Sequence, residues 1–287
     1  MPEVARRPGA ARMANDLPIY RVVARNTSTN SENKIHEDSE ARRYGFRGGL
    51  VPGVTVYAYL THPLVEAFGP AWLERGTASV KFVKPIFEGD EVTVTGRVTS
   101  DDAEGVTVAL NASTASGGDC GVGTATLPRQ APSPLDPGAY AALPLPAERP
   151  EATREHLASL GALGVPVERY DEACAADYVA KVSDALGLYR GPGGYVHPAF
   201  LLHQSNKALS RNVRVGPWIH TGSTVRHLGA ARIGETISTR GRVRALTEKK
   251  GREMVELDLL VVADGARPVA HVFHHAIYRL PALAPVV

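Results

Sequence analysis

Residues 31–38 read Ser-Glu-Asn-Lys-Ile-His-Glu-Asp, which sets one imidazole, His36, beside the amide of Asn33 and the carboxylates of Glu32, Glu37 and Asp38. An imidazole that titrates near neutrality serves as base and as acid within one cycle, so His36 is the leading candidate for proton transfer. Glu32, adjacent to Ser31 and with a longer reach, is one source of a carboxylate; Glu37 and Asp38, which flank the histidine, or Asp184 from the far half of the chain are the others. Farther on, Gly53 opens an apolar helix candidate. Unpaired backbone N–H groups and the positive end of a helix there can stabilise charge developing on an oxygen.

Other clusters carry less chemistry. His271, His274 and His275 fall on a strand candidate without a carboxylate pattern, and Cys120 and Cys174 form no CxxC, so no metal site and no disulfide framework is expected. Serine-hydrolase, P-loop and dinucleotide fingerprints are absent, and no cofactor is implied. Arg42, Arg43, Arg47, Lys81 and Lys84 read as a solvated charged face, with phosphate contact as the functional alternative. Arg240, Arg242 and Arg244 alternate on the outward side of a strand.

The charge balance, 32 Lys and Arg against 30 Asp and Glu in 287 residues, excludes a protein devoted to coating nucleic acid but leaves room for a small polyanionic ligand. No apolar run approaches the roughly 20 residues that span a bilayer, and no secretory signal is evident. A cytoplasmic protein without membrane contact is expected. Residues 1–15, rich in Ala and Arg and without hydrophobic periodicity, read as a disordered tail.

The elements that must hold these residues occur twice. Gly-Gly-Leu-Val-Pro-Gly (48–53) aligns with Gly-Gly-Tyr-Val-His-Pro (193–198), and GDEVTVTGRV (89–98) aligns with GETISTRGRV (234–243), both at an offset of 145 (193 − 48 and 234 − 89). One shared offset near half the chain length means duplication of one unit. Residues 16–128 and 153–287 are expected to form two domains. Between them, residues 129–152 are a Pro-rich linker, extended because proline denies backbone donors to helix and sheet. Each copy runs from a glycine-rich turn into an apolar helix, 54–67 and 199–209. Alternating strands follow at 78–83, 91–99, 106–114 and 121–127, then at 224–228, 236–246, 252–263 and 269–280. This is an α+β pattern.

Asn33, His36, Asp38, Ala41, Gly45, Phe46 and residues 49–53, together with VKFVKPIFEGDEVTVTGRV (80–98), resemble the signature of MaoC-like (R)-specific enoyl-CoA hydratases and dehydratases. The resemblance implies a double hot-dog fold, in which two curved antiparallel sheets each wrap a central helix. It further implies an acyl-CoA or acyl-carrier thioester as substrate. His36 would act as base toward water, Asn33 would orient the loop, and Gly53 would stabilise an enolate oxygen. Ser31, Asp38, Phe46, Val51, Tyr57 and His197 would line the substrate site. The chain departs from the family at Ser31, where the resemblance places a catalytic Asp, at Lys34 in place of Pro, and at Pro52 in place of His. A serine hydroxyl positions a water but accepts no proton at neutral pH, so a substitute carboxylate, Glu32 first, is required for full hydratase chemistry. Lys181 stands at the place of His36 in the second copy, which leaves the first copy as the active one. The rival readings are a hot-dog thioesterase and a non-catalytic binder or tailoring protein for a lipophilic ligand. Fused copies permit a monomer or a homodimer of fused chains.

Overall fold

The computed structural model describes residues 16–281; the expected tail lies outside them. The first half contains β1 (Tyr20–Val23), α1 (Asp38–Arg43), α2 (Gly53–Phe68), α3 (Pro70–Arg75), β2 (Thr77–Phe82), β3 (Glu91–Asp101), β4 (Gly105–Thr114) and β5 (Gly118–Pro128). The second contains α4 (Arg154–Ser159), β6 (Val167–Arg169), α5 (Glu172–Lys181), α6 (Pro198–Ser210), β7 (Ile219–His227), β8 (Thr236–Lys249), β9 (Arg252–Ala263) and β10 (Arg267–Arg279). All ten strands join one antiparallel sheet in the order β1-β3-β4-β5-β2-β7-β10-β9-β8-β6.

The alternation read in the sequence sets which side of each strand is covered. In β4 the even positions Val106, Val108, Leu110 and Ala112 are buried while their neighbours are half-buried. α2 is buried from Val54 to Val65, as a helix enclosed by a curved sheet must be, so its sequence is apolar on most faces. Gly69, at φ 57, ends α2, and Pro70 then starts α3.

The internal duplication is also the symmetry of the molecule. α6 begins 145 residues after α2 (198 − 53), and β8 begins 145 after β3 (236 − 91). The halves meet where β2 pairs with β7, and at the centre of that pairing Ser79 faces Thr224, its own counterpart by the same offset. A two-fold joint requires this self-pairing. The Thr224 hydroxyl donates to Ser79 Oγ at 3.1 Å.

Three features differ from the sequence expectation. The edge strands β1 and β6 and the helices α3, α4 and α5 carry patterns too short to read. β7 begins at Ile219, five residues before the expected start at 224, because Gly222 looks like a terminator. It is instead a contact point: a Cβ on Gly222 would lie 2.6 Å from the Val80 carbonyl oxygen where the two halves join. The Pro-rich segment is mainly irregular but holds a 3-10 turn, Pro137–Ala139. Tyr140 in that segment donates to Asp258 Oδ1 at 2.8 Å, fastening it over the second half of the sheet.

Candidate active site

His36 closes a 3-10 turn, Lys34–His36, that Asn33 caps. The turn lies before α2, and the ring is anchored on the strand-like approach to that helix. His36 Nδ1 lies 2.7 Å from the Leu50 carbonyl oxygen, which can only accept, so Nδ1 carries the hydrogen and Nε2 keeps its lone pair. Burial pushes the His36 pKa down, against the smaller upward effect of the Leu50 hydrogen bond, so the ring is a neutral base at pH 7. Asn33 binds the Trp218 backbone twice, donating to its carbonyl at 2.9 Å and accepting from its N–H at 3.1 Å. The other hydrogen of the Asn33 amide faces His36 Nε2 at 3.2 Å. That long contact aims the imidazole and is weak enough for a stronger donor to displace. Asn33 therefore sews the first-half loop to the second half.

His36 opens on a cavity of about 380 Å³. From the first half Asn33, Tyr44, Phe46, Val51, Gly53 and Phe82 line it; from the second half come Trp218, His220, Thr221 and Ile277. Lys84 and Arg252 stand at the wall as exposed cations. Among the described residues, no carboxylate lines the cavity. The start of α2 forms one wall, with Pro52 as N-cap lacking a side-chain bond to the first turn. Thr55 and Val56 N–H both turn back to the Pro52 carbonyl at 2.9 and 3.1 Å, whereas the N–H groups of Gly53 and Val54 find no acceptor among the described residues.

Several candidates are placed elsewhere. Glu32 is exposed and pairs with Arg149 at 2.7 Å, so it does not replace the expected Asp in the cavity. Glu37 pairs with Lys34. Asp38 accepts from the Gly49 N–H at 2.8 Å and from Arg42 at 2.8 Å, so it shapes the loop instead of lining the cavity. The Ser31 hydroxyl donates to the Asn33 carbonyl at 3.2 Å, outside the cavity wall. Tyr57 is wholly buried in the core beneath α2, away from the lining. His197, also wholly buried, accepts from the Ala199 N–H at 3.1 Å as the α6 cap. Of the basic loop, Arg42, Arg43 and Arg47 are each engaged by an acidic partner, which leaves Lys84 as the cavity's own first-half cation. On β8, Arg242 and Arg244 are exposed and ion-paired, while Arg240 is half-buried under the Pro-rich segment, donating to the Pro137 carbonyl.

The matching place in the second half is filled. At an offset of 145, Tyr178 replaces Asn33, Lys181 replaces His36 and Tyr189 replaces Tyr44. Tyr178 and Tyr189 are buried against His197, with ring centroids 5.5 and 4.5 Å away, whereas Lys181 points outward to Asp177. Asp184 enters this packed region, not the cavity, lying 3.2 Å from His197 Nε2 and 3.1 Å from His62 Nδ1 on α2. Sequence reasoning missed His220 and did not bring it together with His274, 54 positions away (274 − 220) on another strand.

No family model and no curated protein matches the sequence. Solved structures do. A Chloroflexus aurantiacus protein described as a MaoC domain dehydratase aligns over 94% of this chain and 96% of its own, with TM-score 0.62 and 11% identity. A Mycobacterium tuberculosis protein described as having a double hot-dog fold aligns over 91% and 96%, with TM-score 0.59 and 13% identity. The chain is a double hot dog. A Lactobacillus plantarum protein described as an oleoyl thioesterase aligns over 94% of this chain and 98% of its own, with TM-score 0.54 and 11% identity. At these identities the shared feature is the fold, and chemistry must be argued from the site.

Gly53 is constrained by what faces it. A Cβ there would lie 2.8 Å from His220 Nδ1 and 2.8 Å from Phe82 Cε2, two rings already packed edge to face at 4.9 Å. Helix propensity alone favours Gly53→Ala by up to about 1 kcal/mol. Overpacking costs about 1–3 kcal/mol and wins. The variant is therefore expected to lower Tm and to narrow the cavity; an unchanged or raised Tm in thermal melts contradicts this geometry.

Proposed function

We propose that the chain is an acyl-thioester hydratase or dehydratase, adding water across the double bond of a trans-2-enoyl thioester or removing it from the 3-hydroxyacyl product. The observation that carries the reading is a neutral imidazole, fixed as the Nε2 base by Leu50, in the same cavity as Gly53, whose unpaired N–H starts α2. In this reading the thioester oxygen lies against the Gly53 N–H at the start of α2, which stabilises the enolate. Water attacks C3 as His36 Nε2 takes one of its protons, the π electrons move into the enolate, and the imidazolium returns that proton to C2. Water and the enoyl thioester are the sole reactants. Lys84 and Arg252 suit the phosphates of a coenzyme A or acyl-carrier arm. A soluble, cytoplasmic setting fits such a substrate, and among the described residues no helix is long and apolar enough to cross a membrane.

The test follows the enoyl-thioester chromophore across trans-2-enoyl-CoAs of varied length and branching while thiol release is monitored. Absorbance lost without thiol is the expected result. Thiol release instead points to hydrolysis, and no change in either signal overturns the reading. The pH profile gives a further check. Because His36 must be the free base and burial lowers its pKa, kcat/KM is expected to be flat near pH 7–8 and to fall only below the ordinary histidine value of about 6.5. An acid limb above that value contradicts the assignment.

A further inference from the structure

His220 is the other imidazole of the cavity, and it comes from the opposite half of the duplication. The ring is enclosed by Phe82, packed edge to face, and by His274, tilted against it with ring centroids 4.2 Å apart. Its Nε2 lies 3.1 Å from the Gly222 carbonyl oxygen and 2.9 Å from Ser223 Oγ. Since the carbonyl can only accept, Nε2 carries the hydrogen. Ser223 is then free to donate to His274 Nδ1 at 3.1 Å, so a buried serine and a second histidine lock the tautomer from behind. Nδ1 is left as a bare lone pair.

That lone pair has no hydrogen-bond partner among the described residues, and its atom is buried. An acceptor shut away from bulk water and unsatisfied by the protein costs about 1–3 kcal/mol, so its retention calls for a donor that arrives with the reaction. Its direction is given by Gly53: a Cβ on that glycine would come within 2.8 Å of Nδ1, so Nδ1 lies directly beside the first residue of α2. His36 is tied to Leu50. Leu50 and Gly53 are three positions apart, a span of at most about 11 Å, so the two histidines are held against one short segment and the cavity it borders.

We infer that His220 Nδ1 is the second acceptor for the attacking water, filling from the opposite half the role that Ser31 leaves open. The inference rests on the hydratase reading above. Water presents one O–H to His36 Nε2, which takes that proton as the C3–O bond forms, and the other O–H to His220 Nδ1. The second O–H bond stays intact and becomes the hydroxyl of the product, so His220 orients the nucleophile and ends each turnover in its starting protonation state. Burial holds the His220 pKa down at about 3, which keeps Nδ1 an acceptor and not a rival cation. The same place also reaches the hydroxyl of a 3-hydroxyacyl thioester in the reverse direction.

Steady-state hydration by wild type, His220→Leu and His220→Asn tests the assignment, with folding checked by circular dichroism. Asn offers an amide oxygen near the place of Nδ1, whereas Leu offers none. The expected result is a kcat about 10²-fold lower for His220→Leu with KM within about threefold, and recovery to within about tenfold of wild type for His220→Asn. A His220→Leu kcat within threefold of an active wild type overturns the water-holding role and leaves the hydratase reading standing. A wild type inactive in both directions overturns both. Should the variants fail to fold, 15N-histidine spectra of the wild type decide: saturating 3-hydroxyacyl-CoA is expected to shift the unprotonated Nδ1 resonance of His220, and a resonance that stays in place overturns the inference.

Discussion

Replacing His36 with alanine is expected to lower kcat for enoyl-thioester hydration by about 10²–10⁴-fold, the usual contribution of a positioned acid or base. The reasoning is one of elimination within the cavity as well as of geometry. No carboxylate among the described residues lines it, and the carboxylate expected to substitute for the missing Asp, Glu32, is held outside by Arg149. No other group there combines a free lone pair with a pKa near enough to neutrality to gain and lose a proton in each turnover, since His220 is pushed down to about 3. KM is expected to change little, because the ring contributes to proton transfer and not to holding the acyl chain. The acid limb of kcat/KM should vanish with the side chain. A variant that keeps more than a tenth of wild-type kcat would show that His36 is a loop residue only.

The sequence makes one half of this site far easier to read than the other. His36, Asn33 and Gly53 fall within 21 residues (53 − 33 + 1), so local spacing alone brings them onto one loop and the helix that follows. The offset of 145 likewise places α6 and β8 correctly, because a duplication conserves element order even where side chains have diverged. What lies across the joint is different. His220 joins the cavity of His36 only through the β2–β7 pairing, and His274 comes beside His220 only through the β7–β10 pairing. Strand alternation tells which face a residue is on but not which residue of another strand lies beside it. Gly222 deepened the difficulty by resembling a strand end. The Glu32 expectation failed for a related reason: adjacency in sequence is weak evidence of shared direction, and an arginine from the Pro-rich segment, 117 positions away, captures that carboxylate.

Asp184→Ala is expected to destabilise the protein by about 1–3 kcal/mol, the cost of leaving the buried His197 Nε2–H donor without its acceptor. The carboxylate is 4% exposed and sits between His197, which caps α6, and His62, which belongs to α2. It therefore links the two central helices at the place where the second copy's site has been filled. His197 donates to it at 3.2 Å, and His62 Nδ1 lies 3.1 Å away. Burial pushes the Asp184 carboxyl up, but the contacts with His197 and His62 together outweigh it and hold the pKa well below the ordinary range. A depressed carboxylate contributes stability that is fully present above the unfolded value of about 3.9 and is lost as pH falls through the folded one. The gap in Tm between wild type and variant should therefore be constant from pH 7 to pH 5, at about 2–4 °C per kcal/mol, and should close below about pH 4. Asp177→Ala, which removes only the exposed partner of Lys181, is expected to change stability by less than about 1 kcal/mol. Equal effects of the two substitutions would show that the buried carboxylate is no tighter a tie than a surface pair, and the fused halves would then be held by apolar packing, the β2–β7 joint and the Asn33–Trp218 hydrogen bonds.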